Sequence, residues 1–312
     1  MKYALKTLFS LVIAASIISS CQSNTPKSET IGNKTRSYDS LRAQVDSMAR
    51  SFPAKVGIAM MNIETGDTFS YNGMAQMPMQ STYKFPQALA ALSQVEKGKL
   101  SLEQKVFISK AEMIEETWSP MRDSFPKGNI NLTVAQLLTY TVSYSDNIAC
   151  DVVFKLMRGP TTVQAYLDSI GINRIKVLST EDEMHQDGAL QYKNWAAPVE
   201  MVRLLQQFYT GKLLNAEHTT FLRNQMEQSF NSAKRIKGML PDSIVVAHKT
   251  GTSFNEGGAT HAVNDIGIIT LPNGRHIAIA MFVSDTNIPP GDCEAWIARV
   301  TRMIYDDALL RL

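Results

Sequence analysis

The chain has 312 residues and a formal net charge of +2 at pH 7, from 31 basic and 29 acidic side chains. Hydrophobic residues make up 44% and charged residues 19%, which is typical of globular proteins and excludes a largely disordered chain. Because the basic residues are scattered, with no run beyond pairs such as Lys234-Arg235, the charge pattern gives no support to a nucleic-acid partner.

The N-terminus has the features of a secretory signal over residues 1–20. Two lysines precede an apolar stretch at 8–18, which is too short to span a bilayer. The "ISSC" segment that ends at Cys21 resembles a bacterial lipoprotein signal, and Cys21 would then become the lipidated first residue. An ordinary signal cleaved near Ser20 is the alternative.

The segment after Cys21 contains no candidate core. Residues 21–37 are polar and predict a flexible tether, so the folded domain is expected to span 38–312. We therefore expect a periplasmic protein that is attached to the inner or outer membrane through a lipid on Cys21.

Within the domain, the sequence predicts a helix, two strands, a long helical section, three strands and a final helix. The first helix and the first two strands are predicted at 38–50, 55–63 and 67–72. The helical section runs from 84 to about 228, with periodic stretches at 132–142, 147–157, 162–170 and 198–209. The last strands and the closing helix are predicted at 243–251, 262–271, 275–284 and 293–312.

This order of elements indicates an α/β protein of the α+β type. Strands from both ends of the chain are expected to form one antiparallel sheet flanked by helices, with Asn273-Gly274 as a hairpin turn. That α/β lobe would comprise residues 38–73 and 229–312, and residues 74–228 would form an all-helical lobe. A cleft between two lobes is a usual place for a small-molecule site.

The cysteines and histidines do not indicate a metal site. The sequence contains no C-x-x-C or H-E-x-x-H motif, and its five histidines have no ligand spacing, so we expect neither a metal nor a cofactor. Cys150 lies in an apolar helical pattern and is predicted to be a buried free thiol. A disulfide between Cys150 and Cys293 is the alternative in an oxidising compartment.

The sequence contains two matches to the motif S-x-x-K. Ser81 and Lys84 directly precede a predicted helix, whereas the second match, at 124–127, lies beside Pro126 and Gly128 and is predicted to be a loop. One such match is expected by chance in a chain of this length. The motif alone therefore cannot identify a nucleophile.

Two further short motifs follow Ser81 and Lys84 along the chain. Ser145-Asp146-Asn147 stands at a predicted helix start, and Lys249-Thr250-Gly251 stands at the end of a predicted strand. Alone, the first would also suit a helix N-cap and the second a strand end. The set S-x-x-K, S-D-N and K-T-G in these contexts is the signature of penicillin-recognising serine enzymes.

With these motifs, the chain resembles the class A serine β-lactamases over essentially the whole domain. The segments "TWSPM", "SDNIACD", "EDEMHQD", "QYKNW" and "AHKTGTS" are most similar to the extended-spectrum, PER-type cephalosporinase branch. The resemblance implies an α/β lobe plus a helical lobe, β-lactam antibiotics as substrates, no cofactor and a monomer. It implies hydrolysis of penicillins and especially of cephalosporins.

The resemblance also implies catalytic roles. Ser81 would form the acyl-enzyme, with either Lys84 or Glu181 as the base for acylation, a point that is disputed for the family. Backbone N–H groups of Ser81 and Thr252 would form the oxyanion hole. The remaining catalytic pair, which would pass a proton to the leaving nitrogen, is Ser145 and Lys249.

The substrate-binding residues implied by the resemblance are Asn147, Thr250, Gly251, Thr252, Arg235 and Trp118. Arg235 is proposed as the cation for the substrate carboxylate, because the strand after K-T-G contains no arginine; a solvated surface arginine is the alternative. Trp118 would line the cleft, with plain core packing as the alternative.

Glu181 distinguishes the possible functions. Related cell-wall D,D-peptidases share the three motifs but lack a loop glutamate that activates water for deacylation. His185 stands where the family has a water-positioning asparagine. Asp151 stands where most family members have an asparagine that holds this loop, and Ser179 stands in place of an arginine. The loop over 178–198 is therefore expected to take a path that differs from the usual one in the family. A D,D-peptidase, or a degenerate binding lipoprotein, remains the alternative.

Overall fold

The computed structural model describes residues 38–230, 233–253, 255–256 and 259–311. The predicted signal, the tether and Cys21 lie outside these ranges. Within them, no helix combines the length and the apolar character needed to cross a membrane.

The helices and the long strands of the main sheet follow the predicted order. The helices are α1 (Asp39–Arg50), α2 (Lys84–Glu96), α3 (Pro120–Ser124), α4 (Val134–Ser143), α5 (Asn147–Leu156), α6 (Pro160–Ser169), α7 (Glu181–Gln186), α8 (Pro198–Tyr209), α9 (Ala216–Glu227) and α10 (Pro290–Leu309). The strands are β1 (Lys55–Asn62), β2 (Thr68–Tyr71), β3 (Met77–Pro78), β4 (Lys105–Ile108), β5 (Ile130–Thr133), β6 (Ile175–Lys176), β7 (Trp195–Ala196), β8 (Val246–Thr252), β9 (Asn255–Glu256), β10 (Ala259–Thr270) and β11 (His276–Thr286).

Strands from both ends of the chain form the main sheet. Its order is β2-β1-β11-β10-β8, with β9 paired to β10, and every pairing is antiparallel. The predicted hairpin joins β10 to β11, where Gly274 adopts a φ of 80° and the Leu271 N–H donates to the Arg275 carbonyl at 2.8 Å. The predicted antiparallel sheet is confirmed.

The sheet separates two hydrophobic cores, because alternate side chains of a strand point to opposite faces. On β11, Ala278, Ala280 and Phe282 contact the core of the helical lobe. Their neighbours Ile277 and Ile279 belong to the second core, which α1 and α10 cover on the other face. Both faces of β11 are therefore buried, and the helical lobe packs directly on the sheet.

The middle of the chain is not purely helical, which corrects the expectation for residues 74–228. Strand β4 pairs with β5, and β3, β7 and β6 form a three-stranded sheet. These strands are two to four residues long. Such short segments show no detectable period in the sequence, because they are specified by pairing partners far along the chain.

The two described cysteines are free and buried. Cys150 is fully buried in α5, as predicted, and Cys293 lies at the start of α10. The alternative of a disulfide between them is therefore wrong.

Candidate active site

Ser81 lies in a single 3-10 turn, Gln80–Tyr83, directly before α2. The turn begins with Gln80 in the left-handed region at a φ of 47°, which is unusual for a residue other than glycine. Strand β8 packs closely on this turn, because a Cβ on Gly251 would lie 2.6 Å from the Met79 carbonyl oxygen. The glycine of K-T-G therefore permits the close approach that brings the end of β8 to Ser81.

The second match to S-x-x-K has no comparable surroundings. Ser124 is exposed at the end of α3, and its hydroxyl donates to the Pro120 carbonyl at 2.8 Å. Lys127 is exposed as well. This serine is therefore no competitor for Ser81.

Lys84 lies at the centre of the site and is fully buried. Its Nζ is 3.1 Å from Ser81 Oγ, 2.8 Å from the Ser145 carbonyl oxygen and 2.6 Å from Asn147 Oδ1. A fourth oxygen, Glu181 Oε1, lies 3.0 Å away. One amine thus connects S-x-x-K and S-D-N with the loop glutamate Glu181.

Ser145 and Lys249 form a second pair across the cleft. Lys249 Nζ donates to Ser145 Oγ at 2.9 Å and to the Thr250 carbonyl at the same distance. Burial, and next the positive charge of Lys84, hold the pKa of Lys249 well below its ordinary value. Ser145 has a φ of 57°, and such strain in a non-glycine residue is typical of functional sites.

The aspartate of S-D-N is structural. The Asp146 side chain is buried and accepts hydrogen bonds from Ala149 N at 2.8 Å, Met121 N at 2.7 Å and Ser119 Oγ at 2.8 Å. It thereby caps the N-terminus of α5 and fixes the segment before α3. Desolvation by burial raises the pKa of Asp146, while the three hydrogen bonds act in the opposite direction.

Asn147 is held from two sides. Its Oδ1 accepts the bond from Lys84, and its Nδ2 donates to Thr117 Oγ1 at 2.9 Å. The protein itself therefore holds this side chain in one orientation.

Glu181 is the first residue of α7, and Asp151 holds that helix start in place. The Asp151 carboxylate accepts from the backbone N–H groups of Glu181 at 2.9 Å and Asp182 at 2.7 Å. Burial raises the pKa of Asp151 to about 7, with the charge of Glu181 acting in the same direction. Asp151 thus holds the segment that carries Glu181, by accepting hydrogen bonds from two of its backbone N–H groups.

Asn194 is a residue that sequence reasoning missed. It is fully buried, and its Oδ1 accepts from Leu178 N at 2.7 Å and Ser179 N at 3.0 Å, while its Nδ2 donates to the Ser179 carbonyl at 2.8 Å. Its own carbonyl accepts from Met79 N at 2.8 Å. Asn194 therefore joins the start and the end of the loop 178–198 to the segment before Ser81. These contacts hold the loop at Ser179, which replaces the arginine expected from the family.

Arg235 is buried, so the alternative of a solvated surface arginine is wrong. Its Nη1 donates to the carbonyls of Gly251 at 2.9 Å and Asn264 at 2.7 Å, and its Nη2 donates to Thr252 Oγ1 at 2.6 Å. Glu294 Oε1 lies 3.0 Å from Nη2 and forms an ion pair with the guanidinium. The guanidinium is thus fixed at the end of β8, although no sequence signal indicated Glu294.

Trp118 and His185 lie at the rim of the site. Trp118 is 43% exposed and donates from Nε1 to the Tyr144 carbonyl at 3.0 Å, so the alternative of core packing is wrong. His185 Nε2 is 3.8 Å from Glu116 Oε2, and the imidazole borders a small cavity that Glu181 also lines.

The cleft between these groups has a volume of about 260 Å³. It is lined by Gln80, Ser81, Trp118, Ser145, Asn147, Glu181, Thr250, Gly251, Thr252 and Ser253. Most of the predicted site residues thus meet in one cavity, with Lys84, Lys249 and Arg235 buried behind its wall. Within the ranges that the structure describes, no cluster of histidine, cysteine and acidic residues could hold a metal ion.

Comparisons with known proteins agree with this geometry. A model of the "Beta-lactamase enzyme family" matches residues 40–308. β-Lactamase VEB-1 of Pseudomonas aeruginosa is 41% identical over 82% of this chain and 86% of its own length; extended-spectrum β-lactamase PER-1 of the same species is 37% identical over 87% and 88%. A solved β-lactamase structure from Chitinophaga pinensis superposes with a TM-score of 0.84 at 43% identity, covering 86% of this chain and all of that one.

Proposed function

The chain belongs to the β-lactamase enzyme family, as a class A serine β-lactamase that opens β-lactam antibiotics and confers resistance, and on that premise we propose how its residues act. The Ser81 hydroxyl attacks the β-lactam carbonyl, and water activated by Glu181 then hydrolyses the acyl-enzyme. The contacts of Lys84 are the observation that carries this proposal.

Lys84 is suited to take the Ser81 proton. A protonated amine has three N–H donors, yet four oxygens surround Nζ at 2.6–3.1 Å. A carbonyl, an amide oxygen and a carboxylate can only accept, so Ser81 is the one of the four that has a proton to give. The Lys84 amine, once it has a free lone pair, can accept the proton of the Ser81 hydroxyl across the 3.1 Å that separates Nζ from Oγ, which activates the nucleophile.

The second lysine serves the leaving group. As the C–N bond of the lactam breaks, the nitrogen must gain a proton, and the Ser145 hydroxyl can supply it. Lys249 Nζ lies 2.9 Å from Ser145 Oγ and, with its lowered pKa, can replace that proton. We assign Ser145 and Lys249 to this relay.

Charge that develops on the carbonyl oxygen needs fixed donors. The close packing of Gly251 on the Ser81 turn supports an oxyanion hole made by the backbone N–H groups of Ser81 and Thr252. The guanidinium of Arg235 beside Thr252 supports binding of the substrate carboxylate at the same end of β8, with Thr250 and Thr252. Asn147 and Trp118 would contact the substrate side chain.

Deacylation is the step that distinguishes this enzyme from a D,D-peptidase, which the comparisons do not favour. Glu181 is 13% exposed and lines the same cleft as Ser81, so it can take a proton from an attacking water. His185 borders the adjoining cavity and would help to hold that water.

PER-1 is named an extended-spectrum enzyme, which supports cephalosporins as preferred substrates.

A chromogenic cephalosporin tests the proposal. Wild type is expected to show steady turnover, and Ser81→Ala to show none while it keeps its thermal unfolding midpoint. Mass spectrometry with a slowly hydrolysed β-lactam should find the adduct on the Ser81 peptide, with Ser124→Ala as the matched control. An adduct on another serine would refute the assignment.

We also propose that the mature protein is a periplasmic lipoprotein anchored through Cys21. The support is the N-terminal sequence, with its apolar stretch at 8–18 and the "ISSC" segment. Cys21→Ser should move activity from the membrane fraction to the soluble fraction. If the wild-type protein is already soluble, the ordinary signal peptide is the correct interpretation. A monomer stays a prediction, which analytical ultracentrifugation would test.

A further inference from the structure

Tyr83, a middle residue of the S-x-x-K motif, contacts the deacylation glutamate directly. Its hydroxyl donates to Glu181 Oε1 at 2.8 Å, and the side chain is fully buried. The ring stacks on Phe154 with centroids 5.8 Å apart and planes at 22°. Packing therefore fixes the ring, and the ring fixes where the hydroxyl lies.

The direction of this hydrogen bond is determined by its surroundings. Burial raises the pKa of Tyr83 well above its ordinary value, so the phenol keeps its proton. The other neighbour of the hydroxyl is Cys150 Sγ at 3.3 Å, and burial raises the pKa of that thiol as well. The thiol has a second acceptor, Gln87 Oε1 at 3.3 Å. The Tyr83 proton is thus free to serve the carboxylate, which can only accept.

Two donors act on the same oxygen of Glu181. Oε1 accepts from Tyr83, and Lys84 Nζ lies 3.0 Å from it. Among the residues that the structure describes, no group donates a hydrogen bond to Oε2 at these distances. Oε1 is therefore bound by two protein groups, and Oε2 is available to a water molecule in the cleft.

We propose that Tyr83 is a positioning residue for deacylation, which holds the Glu181 carboxylate so that Oε2 points to the hydrolytic water. The inference rests on the proposed role of Glu181. In that step the water oxygen bonds to the ester carbon and its proton passes to Glu181. The ester C–O bond then breaks, and the proton returns to Ser81 Oγ. The buried hydroxyl would limit rotation of the carboxylate. This positioning matters more in this chain, because His185 replaces the asparagine that is expected to hold the water.

Tyr83→Phe tests this role, because it keeps the ring and its stacking on Phe154 and removes only the hydroxyl. We expect the acylation rate to stay within about threefold of wild type. The deacylation rate should fall about 10- to 100-fold, as expected for one lost hydrogen bond to a charged group. Stopped-flow kinetics with a chromogenic cephalosporin separates the burst from the steady state, and intact mass reports the accumulated acyl-enzyme.

Tyr166→Phe is the matched control. Tyr166 is also buried, but its hydroxyl has no hydrogen-bond partner among the described residues, so its removal should leave both rates unchanged. An unchanged deacylation rate in Tyr83→Phe overturns the inference, and so does an equal loss of both rates with a lower unfolding temperature. If Glu181→Gln itself turns over normally, the proposed function fails, and the inference fails with it.

Discussion

Two walls of the cleft are held in different ways. The strand wall, formed by β8 and β10, carries Lys249 and the proposed substrate contacts Thr250 and Thr252 on a continuous ladder that pairs Val246 with Ile269 and Thr252 with Val263. The loop wall, residues 178–198, carries Glu181 and is anchored mainly by the side chains of Asp151 and Asn194.

The strand wall has additional buried anchors. Asn264 donates to the carbonyls of Pro78 and Met79 at 2.7 and 3.1 Å, which ties β10 to the segment before Ser81. Behind the sheet, His248 Nδ1 lies 2.9 Å from Asp265 Oδ2, and both side chains are buried. On the proposed mechanism, substrate binding thus depends on a redundant framework, since losing one contact leaves the β8–β10 ladder intact.

The loop wall is held by shorter pairings and by single side-chain contacts, such as that between Tyr192 and Asp285. Strands β6 and β7 at its ends are two residues long, and α7 has six residues. Side chains rather than a ladder satisfy the backbone groups at its start. On the proposed mechanism, we expect that changes in the loop wall disturb the hydrolytic step alone, whereas acylation depends on the strand wall and the Ser81 turn. Four substitutions test this comparison.

Removing the base from the loop wall should have the largest effect. Glu181→Gln keeps the size of the side chain and should lower deacylation by about 10²–10⁴-fold, or roughly 3–5 kcal/mol of barrier, while Ser81 still acylates. The measurement is a stoichiometric burst followed by an acyl-enzyme stable enough for mass spectrometry. Glu181→Gln combined with His185→Asn shows whether the histidine acts as a partial base. Near wild-type turnover by the single variant would refute the mechanism.

The loop anchor Asp151 should make stability depend on pH. Its pKa is raised from 3.8 to about 7, so the folded state binds this proton more tightly than the unfolded state. The associated stability is fully present below about pH 4 and is lost as the pH rises through about 7. At 1.36 kcal/mol per pKa unit, the whole difference is roughly 4 kcal/mol, as an upper limit.

Asp151→Asn removes this titration, so the unfolding temperature of wild type should fall relative to the variant between about pH 4 and pH 7. The matched control is Asp182→Asn, in the first turn of α7 that Asp151 holds, because the Asp182 side chain is partly exposed. Parallel pH curves for wild type and Asp151→Asn would contradict the raised pKa.

On the strand wall, Arg235→Ala should weaken the carboxylate site. Losing a charge-assisted hydrogen bond costs about 1.5–3 kcal/mol, which corresponds to roughly 10- to 150-fold in kcat/KM. Because the partners of Arg235 lie on β8, β10 and α10 rather than on the loop wall, the deacylation rate should change little. Lys234→Ala, an exposed neighbour with the same charge, is the control. Unchanged kinetics would leave Arg235 as a purely structural cation paired with Glu294.

Asn194→Ala should have the smallest effect and be confined to the loop wall. It leaves the N–H group of Leu178 and the buried N–H group of Ser179 without their acceptor, at a cost of about 1–3 kcal/mol in the free energy of unfolding. Deacylation should slow more than acylation. Asn273→Ala, on the exposed β10–β11 turn, should change neither rate. Equal slowing of both steps would show that the two walls are not independent.

The sequence by itself determined the fold class, the family and the positions of the catalytic candidates. Periods of two and 3.6 residues identify strands and helices locally, and the motifs at Ser81, Ser145 and Lys249 are short patterns that need no knowledge of distant contacts. The role of the loop glutamate was implied by the resemblance to the family, on the segment that contains Glu181. The predicted sheet and its flanking helices therefore agree with the structure.

Only the tertiary structure decided how those residues are held. Arg235 is buried because of partners on β8, β10 and α10, and Tyr83 meets Glu181 although 98 positions separate them in the chain. The pKa of Asp151 follows from burial against the loop, and the short strands of the helical lobe exist only through their pairing. Such features arise from packing between distant segments, because desolvation and hydrogen-bond geometry depend on neighbours that no local pattern specifies.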